Sequence, residues 1–438
     1  MGIHTRSFVS TLIAAAGLGL LVSASPGAAQ PCASGAASWT LDDSAVSASL
    51  KNQILGSPGA IIGPTSSSFP SGKLVVIRAA LQDAPINSAA DTNYINSIFF
   101  STAAGVKSIK GYFTTNSYGH FNVTSGAVPN WFTLSKKITD YTNGIEGNPT
   151  FLQDVLKAAN VNWSALDANG DKTINIPEAQ IVILVPNALP GSGFASTRTV
   201  NAGTVTTPTG TFTFSNRSII IFSLKAIADP QFNINPIRAL PGVAHELGHA
   251  FFNFPDRYGP STGTGEYDMM GSASSSTWVH YTMHDKIKLG WITPKILQGH
   301  LSQCLEFVPS EWGANALVLV PITSFLGNPL EYWIVENRNK AFDSGGYDDN
   351  LPGKGLAIWY VSVGTFFGQD DVRLVDFSKP TESPLLYNNP GSNALFTVNL
   401  SSPSRALLDR NGQWNLLWFE DISDANANNN GFLMFGEF

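Results

Sequence analysis

The stretch VAHELGHAFFNFPDRYG, Val243 to Gly259, decides how the rest of the chain is read. Its apolar residues are spaced for a helix and carry a His-Glu-x-x-His core. On a helix, positions four apart share a face, so His245 and His249 present two imidazoles to one metal ion. Glu246 is rotated about 100° from His245. That sets it beside the metal, where a general base must stand to take a proton from zinc-bound water. Ala244, Leu247, Gly248 and Phe251 form the complementary stripe that packs on a core. Gly248 costs a helix roughly 1 kcal/mol against alanine, so a close backbone approach is expected behind the site.

The residues after the second histidine decide the third ligand. In the short-spacing form of this motif, a glycine ends the helix by turning left-handed, and the third ligand follows three positions later. No glycine stands there in this chain. Asn253, which tolerates the left-handed region well, lies one position later, and Asp256 follows it by three. A helix one residue longer accounts for both shifts and makes Asp256 the first choice. Glu266 and Asp268 are the alternatives, although STGTGEYDMMGSASSS around them reads as loop.

Composition sets the surroundings of this site. Only 13% of the 438 residues are charged and the net charge is −7. No basic run is present to follow a phosphate backbone, which argues against nucleic-acid binding. Arg6, the apolar TLIAAAGLGLLVSA and the small residues of SPGAAQ read as a secretory leader over residues 1–29. No stretch is long and apolar enough for stable membrane insertion. A secreted, extracellular protein is expected, with Cys32 and Cys304 able to pair in an oxidising compartment. Asn122, Asn162, Asn216 and Asn399 begin Asn-x-Ser/Thr sites, which matter only in a host that glycosylates secreted proteins.

Along the chain, residues 30–70 are rich in Ser, Ala, Gly and Pro and read as a linker or short pro-segment. KLVVIRAAL, GHFNVTSG, NWFTLS, AQIVILVPN and RSIIIFSL read as strands. NYINSIFFSTAAGVKSIKGYFTTNS has helical spacing at Ile95, Ile98 and Phe99, and FLQDVLKAANVNWSAL at Phe151, Leu152, Val155 and Leu156. Past residue 300, LEFVPS, ALVLVPI, EYWIVEN, GLAIWYV, LFTVNL and WNLLWFED are short β-prone runs between turn residues, the pattern of a β-sandwich.

Several separated motifs occur in the order seen in one family. HELGHAFFNFPDRY resembles H-E-x-G-H-x-x-G-x-P-D-x-Y, with one extra residue and Asn in place of Gly. YDMMGS looks like a methionine-containing turn beneath the metal, with Met269 or Met270 in that role. HYTMHDKIKLGW is similar to H-L-S-A-W-x-K-x-x-L-G-W, matching at His280, Lys286, Leu289, Gly290 and Trp291. GYFTTNSYGHFNVTSG, EYWIVENR and LPGKGLAIWYV extend the likeness over residues 74 to 363, with Trp359-Tyr360 where Trp-His is usual. The chain thus resembles the immune inhibitor A-type family of secreted zinc metallopeptidases. The resemblance implies an α+β zincin-type catalytic domain over residues 71–298 with an active-site helix, then a β-sandwich domain over 299–438. It also implies a zinc-dependent endopeptidase that hydrolyses extracellular proteins and peptides, acting as a monomer. His280 is the candidate for a hydrogen bond to the oxyanion or a substrate carbonyl, and Tyr258 or Tyr267 for polarising that carbonyl. Two rivals stand beside this reading: an inactive relative serving as a secreted binding or adhesion module, and a zinc hydrolase of non-peptide substrates.

A second metal site is suggested by DANGDKTINIPE, Asp167 to Glu178. Asp167, Asn169, Asp171, Thr173, Asn175 and Glu178 supply oxygen at the alternating positions of a calcium loop. Lys172 holds the place where glycine normally makes the sharp turn. A calcium ion there would be structural, pinning the loop ahead of AQIVILV.

Overall fold

The computed structural model describes residues 47–55, 71–186 without 87 and 89, 195–223 without 215 and 216, 240–258, 263–271 and 277–298, and beyond 300 chiefly the strands given below. The expected leader, Cys32 with its pairing to Cys304, and LFTVNL lie outside the described residues.

The strand β1 (Ser71–Ala80) shows how the first sheet is built. Successive side chains of a strand point to opposite faces, and both faces here are covered: Leu74 and Val76 enter one apolar core, Val75 and Ile77 the other. Its neighbours are β2 (Asn122–Ala127), β3 (Phe132–Thr133) and β4 (Gln180–Val185), followed by β5 (Ala195–Val200) and, after a hairpin, β8 (Arg217–Ser223). The order is β2-β1-β4-β8-β5, with β3 on β1. All strands run parallel except β5, which lies antiparallel along β8. Sheets buried on both faces read as unbroken apolar runs, which is why QIVILV was legible as a strand.

Helices cover both faces. On one side lie α1 (Ala48–Leu55), α2 (Thr92–Phe100) and α3 (Ile109–Asn116). On the other lie α4 (Pro149–Ala158), α5 (Trp163–Leu166) and the hairpin β6 (Gly203–Thr207)–β7 (Gly210–Phe214), which inserts Val205, Phe212 and Phe214 into the second core. Where the apolar spacing suggested one helix from Asn93, the chain forms two. α2 stops before Ser101, Gly105 takes φ 76°, and Ser108 caps α3 through the Gly111 amide. The four apolar residues expected on α4 are all buried, and Asn148 caps that helix.

The helix α6 (Leu240–Phe252), which carries the His-Glu-x-x-His core, and the short α7 (Met283–Lys288) join the first core. The later strands are β9 (Lys295–Gln298), β10 (Gln303–Phe307), β11 (Leu317–Val320), β12 (Glu331–Arg338), β13 (Gly355–Phe366), β14 (Gln369–Leu374), β15 (Arg405–Leu408), β16 (Trp414–Asp424) and β17 (Phe432–Gly436). They form a sheet β14-β13-β12-β11-β9 and a second, β10-β17-β16-β15. β9 pairs in parallel with β11, so a strand from before residue 299 is the edge of the sheet built by those after it. Val318, Ile334 and Trp359 of that sheet share one continuous core with Leu247 of α6. The fold is mixed α and β with several sheets, consistent with an α+β class. No helix among the described residues is long and apolar enough to cross a membrane.

Candidate metal centre

Helix α6 is buried on almost every side. Only Gly242, Glu246 and His249 are partly open. These positions are four and three apart, so they form one stripe. His245 lies at its margin, its side chain 6% exposed against 23% for His249. The glycine expected to permit a close approach does so: a Cβ on Gly248 would lie 2.9 Å from Met270 Sδ and 3.0 Å from the Tyr281 hydroxyl. Met270 thus packs behind the helix, while the neighbouring Met269 carbonyl serves His245.

The helix ends as the spacing predicted. Asn253 adopts φ 56° and its amide donates to the His249 carbonyl at 3.0 Å, the bond of a left-handed cap. Phe254 is buried behind it, and the chain then returns Asp256 to the two histidines. Asp256 Oδ1 lies 3.1 Å from His245 Nε2 and 3.0 Å from His249 Nε2, and the two Nε2 atoms are 3.1 Å apart. Among the described residues this is the one group of three or more His, Cys, Asp or Glu side chains with converging ligand atoms. Glu266 is exposed outside the group, and Asp268 is buried in an ion pair with Arg257.

The protons show what this arrangement fits. A carbonyl oxygen only accepts, so His245 Nδ1 must donate to Met269 O at 2.8 Å and His249 Nδ1 to Phe254 O at 2.5 Å. In the neutral imidazoles that leaves both Nε2 atoms as bare lone pairs. Two lone pairs and a carboxylate oxygen then meet within about hydrogen-bond distance, an arrangement that a cation relieves. A tetrahedral zinc with bonds of about 2.0–2.1 Å would hold its ligand atoms roughly 3.3–3.4 Å apart, so the donor set fits with little movement. In the absence of a cation a proton does the same work. Burial opposes charge on His245, yet the bonds to Asp256 and Met269 outweigh it and raise the imidazole pKa. Burial likewise opposes charge on Asp256, but the two imidazoles hold its carboxyl well below the usual range.

Tyr258, 52% exposed, donates its hydroxyl to Asp256 Oδ2 at 3.0 Å, placing a phenol at the open edge of the centre. Tyr267 is fully buried. His280 is fully buried too. Its Nδ1 accepts from Lys286 Nζ at 2.8 Å, and burial together with Lys286 keeps the ring neutral. The structure therefore brings His245, His249, Asp256, Glu246 and Tyr258 to one opening and places His280 in the interior.

The Asp167–Glu178 loop lies apart from this centre. Lys172 takes φ 63°, making the turn expected of a glycine. Asn169 Oδ1 accepts from the Asp171 amide, Asp171 Oδ1 from Thr173, and Asn175 Oδ1 from Glu178. Glu178 accepts from the Ala168 and Asn175 amides. Asp167 Oδ2 accepts from the Lys172 amide, while Asp167 Oδ1 is buried with no partner. The Lys172 carbonyl and Thr213 amide tie the loop to β7 at 2.8 Å.

Sequence reasoning missed Arg257. It is buried beside Asp256 in the chain and paired with Asp285 and Asp268. A lone arginine in a loop carries no periodic signal, and its partners lie 11 and 28 residues away. No protein-family model and no curated protein matches the chain in sequence.

Proposed function

We propose that the chain is a secreted zinc-dependent endopeptidase of extracellular proteins, similar to the immune inhibitor A-type enzymes, with a zincin-type catalytic region and a β-sandwich after it. The observation that carries this reading is the convergence of His245 Nε2, His249 Nε2 and Asp256 Oδ1, with Glu246 beside them on the open stripe of α6. His245, His249 and Asp256 would hold the zinc ion, which would supply Lewis acidity to polarise a peptide carbonyl and to lower the pKa of bound water toward neutrality. Glu246 accepts that proton at its carboxylate and delivers it to the leaving amine. Tyr258, whose exposed hydroxyl lies on Asp256 Oδ2, is the candidate donor to a developing oxyanion. We assign His280 to support of the interior, because no atom of it faces the opening.

Calcium in the 167–178 loop is proposed on a narrower footing, the buried unpaired Asp167 Oδ1. Raising calcium should increase the melting temperature of the wild type and not of Asp167→Asn; equal shifts in both would remove the site.

The peptidase is tested by casein hydrolysis with metal content measured on the same samples. Wild type should cleave. Glu246→Ala should keep zinc and lose activity by about 10²–10⁴-fold, the usual contribution of a general base. Zinc binding without cleavage of casein or peptides would shift the assignment to a binding module, and cleavage of esters alone to a non-peptide hydrolase.

A further inference from the structure

We infer that Arg257 is a positioning residue for the metal: its buried guanidinium anchors the loop that holds Asp256 against the two histidines. The inference rests on the metal reading above. Asp256 itself is not held by burial, since its side chain is 43% exposed. Residues 253–258 also lie outside any helix or strand. Two buried anchors flank the ligand instead. On one side Phe254 is buried and its carbonyl receives His249 Nδ1. On the other, Arg257 is 5% exposed and joins three segments.

Its Nη1 and Nη2 donate to the two oxygens of Asp285 at 2.5 and 2.7 Å, and Nη1 reaches Asp268 Oδ2 at 3.3 Å. Its amide donates to Met270 O at 2.7 Å, and its carbonyl accepts from Thr264 Oγ1 at 3.2 Å. The acceptors are themselves held. Asp285 Oδ2 takes the Thr282 hydroxyl at the start of α7, and Asp268 Oδ1 takes the Met270 amide. The turn that bonds Arg257 through Met270 also gives His245 the Met269 carbonyl. One side of the centre thus positions a histidine and the carboxylate together. Consecutive Cα atoms are about 3.8 Å apart, so a shift of Arg257 passes directly to Asp256. A bidentate Arg–carboxylate pair fixes direction as well as distance.

The test is a double-mutant cycle read as zinc dissociation constants, by competition with a chromophoric chelator. The proteins are wild type, Arg257→Met, Asp256→Ala and the double variant. Loss of a group that orients a metal ligand typically weakens binding by about 10–100-fold, and Arg257→Met should fall in that range. If Arg257 acts through Asp256, the double variant should bind zinc as Asp256→Ala does, within about threefold. A wild-type constant in Arg257→Met, or the full loss repeated in the Asp256→Ala background, overturns the inference. Because Arg257→Met leaves two buried carboxylates uncompensated and so threatens the fold itself, Asp285→Asn serves as the second variant. It keeps the shape and one acceptor, and should also weaken zinc binding; an unchanged constant there overturns the role of the pair. A wild type that binds no zinc is a separate result: it removes the metal reading itself, and this inference with it.

Discussion

Asn253 is the residue on which the His245–His249–Asp256 cluster turns. An L-residue at φ 56° is strained unless its side chain is tolerant, as asparagine is. Asn253→Gly should leave stability and zinc affinity near wild type, whereas Asn253→Ala should destabilise by about 1 kcal/mol and weaken zinc binding. Equal behaviour of the two in thermal melts and zinc titration would mean that the left-handed cap is not what directs Asp256. Gly248 makes the opposite demand, for space. Gly248→Ala gains helix propensity of about 1 kcal/mol but must displace Met270 or Tyr281. The Tyr281 hydroxyl is committed to the Ala244 carbonyl at 2.8 Å. Overpacking costs about 1–3 kcal/mol, so a lower melting temperature is expected. A higher one would show that the methionine yields freely. Both residues were legible from the sequence because each stands out at its position: an asparagine where the chain must turn left-handed, and a glycine inside a helix. Arg257 was not, because its meaning lies entirely in distant partners.

At the scale of the element, α1 separates composition from packing. The segment around it reads as linker by its Ser, Gly and Pro content, yet Leu50 and Ile54 are fully buried in the core that contains α6. Lys288 of α7 also donates to the Gln53 carbonyl at 3.4 Å. Leu50→Ala should therefore cost about 2–5 kcal/mol in denaturant unfolding. A loss below about 0.5 kcal/mol would mark α1 as dispensable, as a detachable pro-segment would be. The spacing Leu50–Ile54 is helical, but eight residues hold too few periods to outweigh the flanking composition. The hairpin β6–β7 was missed differently. TVTTPTGTFTF alternates Thr with Val or Phe about a Pro-Thr-Gly turn, a signal that was present in the sequence. The paired Thr204–Thr213 and Thr206–Thr211 hydroxyls confirm the register on its outer face.

At the scale of the molecule, the His245–His249–Asp256 cluster is bonded to the later sheet through an unbroken series of contacts. His245 donates to Met269 O, the Met269 amide to His280 O, and the His280 amide to Asp348 Oδ1. Asp348 in turn takes Arg338 Nε and Nη2 at 2.7 and 2.8 Å. Burial opposes ionisation of Asp348, but Arg338 holds its carboxyl well below the usual range. A depressed folded-state pKa contributes stability above the unfolded value of about 3.9 and loses it as pH falls toward the folded value. Asp348→Asn should then lower stability at pH 7 and flatten the acid limb of unfolding below about pH 4. An acid limb as steep as that of wild type would show that other carboxylates control it. Breaking a buried pair costs about 3–5 kcal/mol, so Asp348→Ala should be the more damaging change. For the same reason a fragment ending at residue 298 should show no cooperative unfolding by circular dichroism. It would expose the face that Val318, Ile334 and Trp359 cover, and a cooperative melt would contradict this.

The sequence by itself determined the parts governed by nearest neighbours. These are the buried strands, the faces of α4 and α6, the left-handed cap at Asn253 and the two histidines that share one face of α6. Each follows from a period of 2 or 3.6 residues or from a backbone angle that few residues accept. Only the tertiary structure decided the rest. It closed the core around α6 with strands from beyond residue 316, buried His280, and set Arg257 between Asp268 and Asp285. Those outcomes depend on which surfaces meet after the chain has folded back on itself, and charge pairing or burial at that range leaves no periodic trace in the order of the residues.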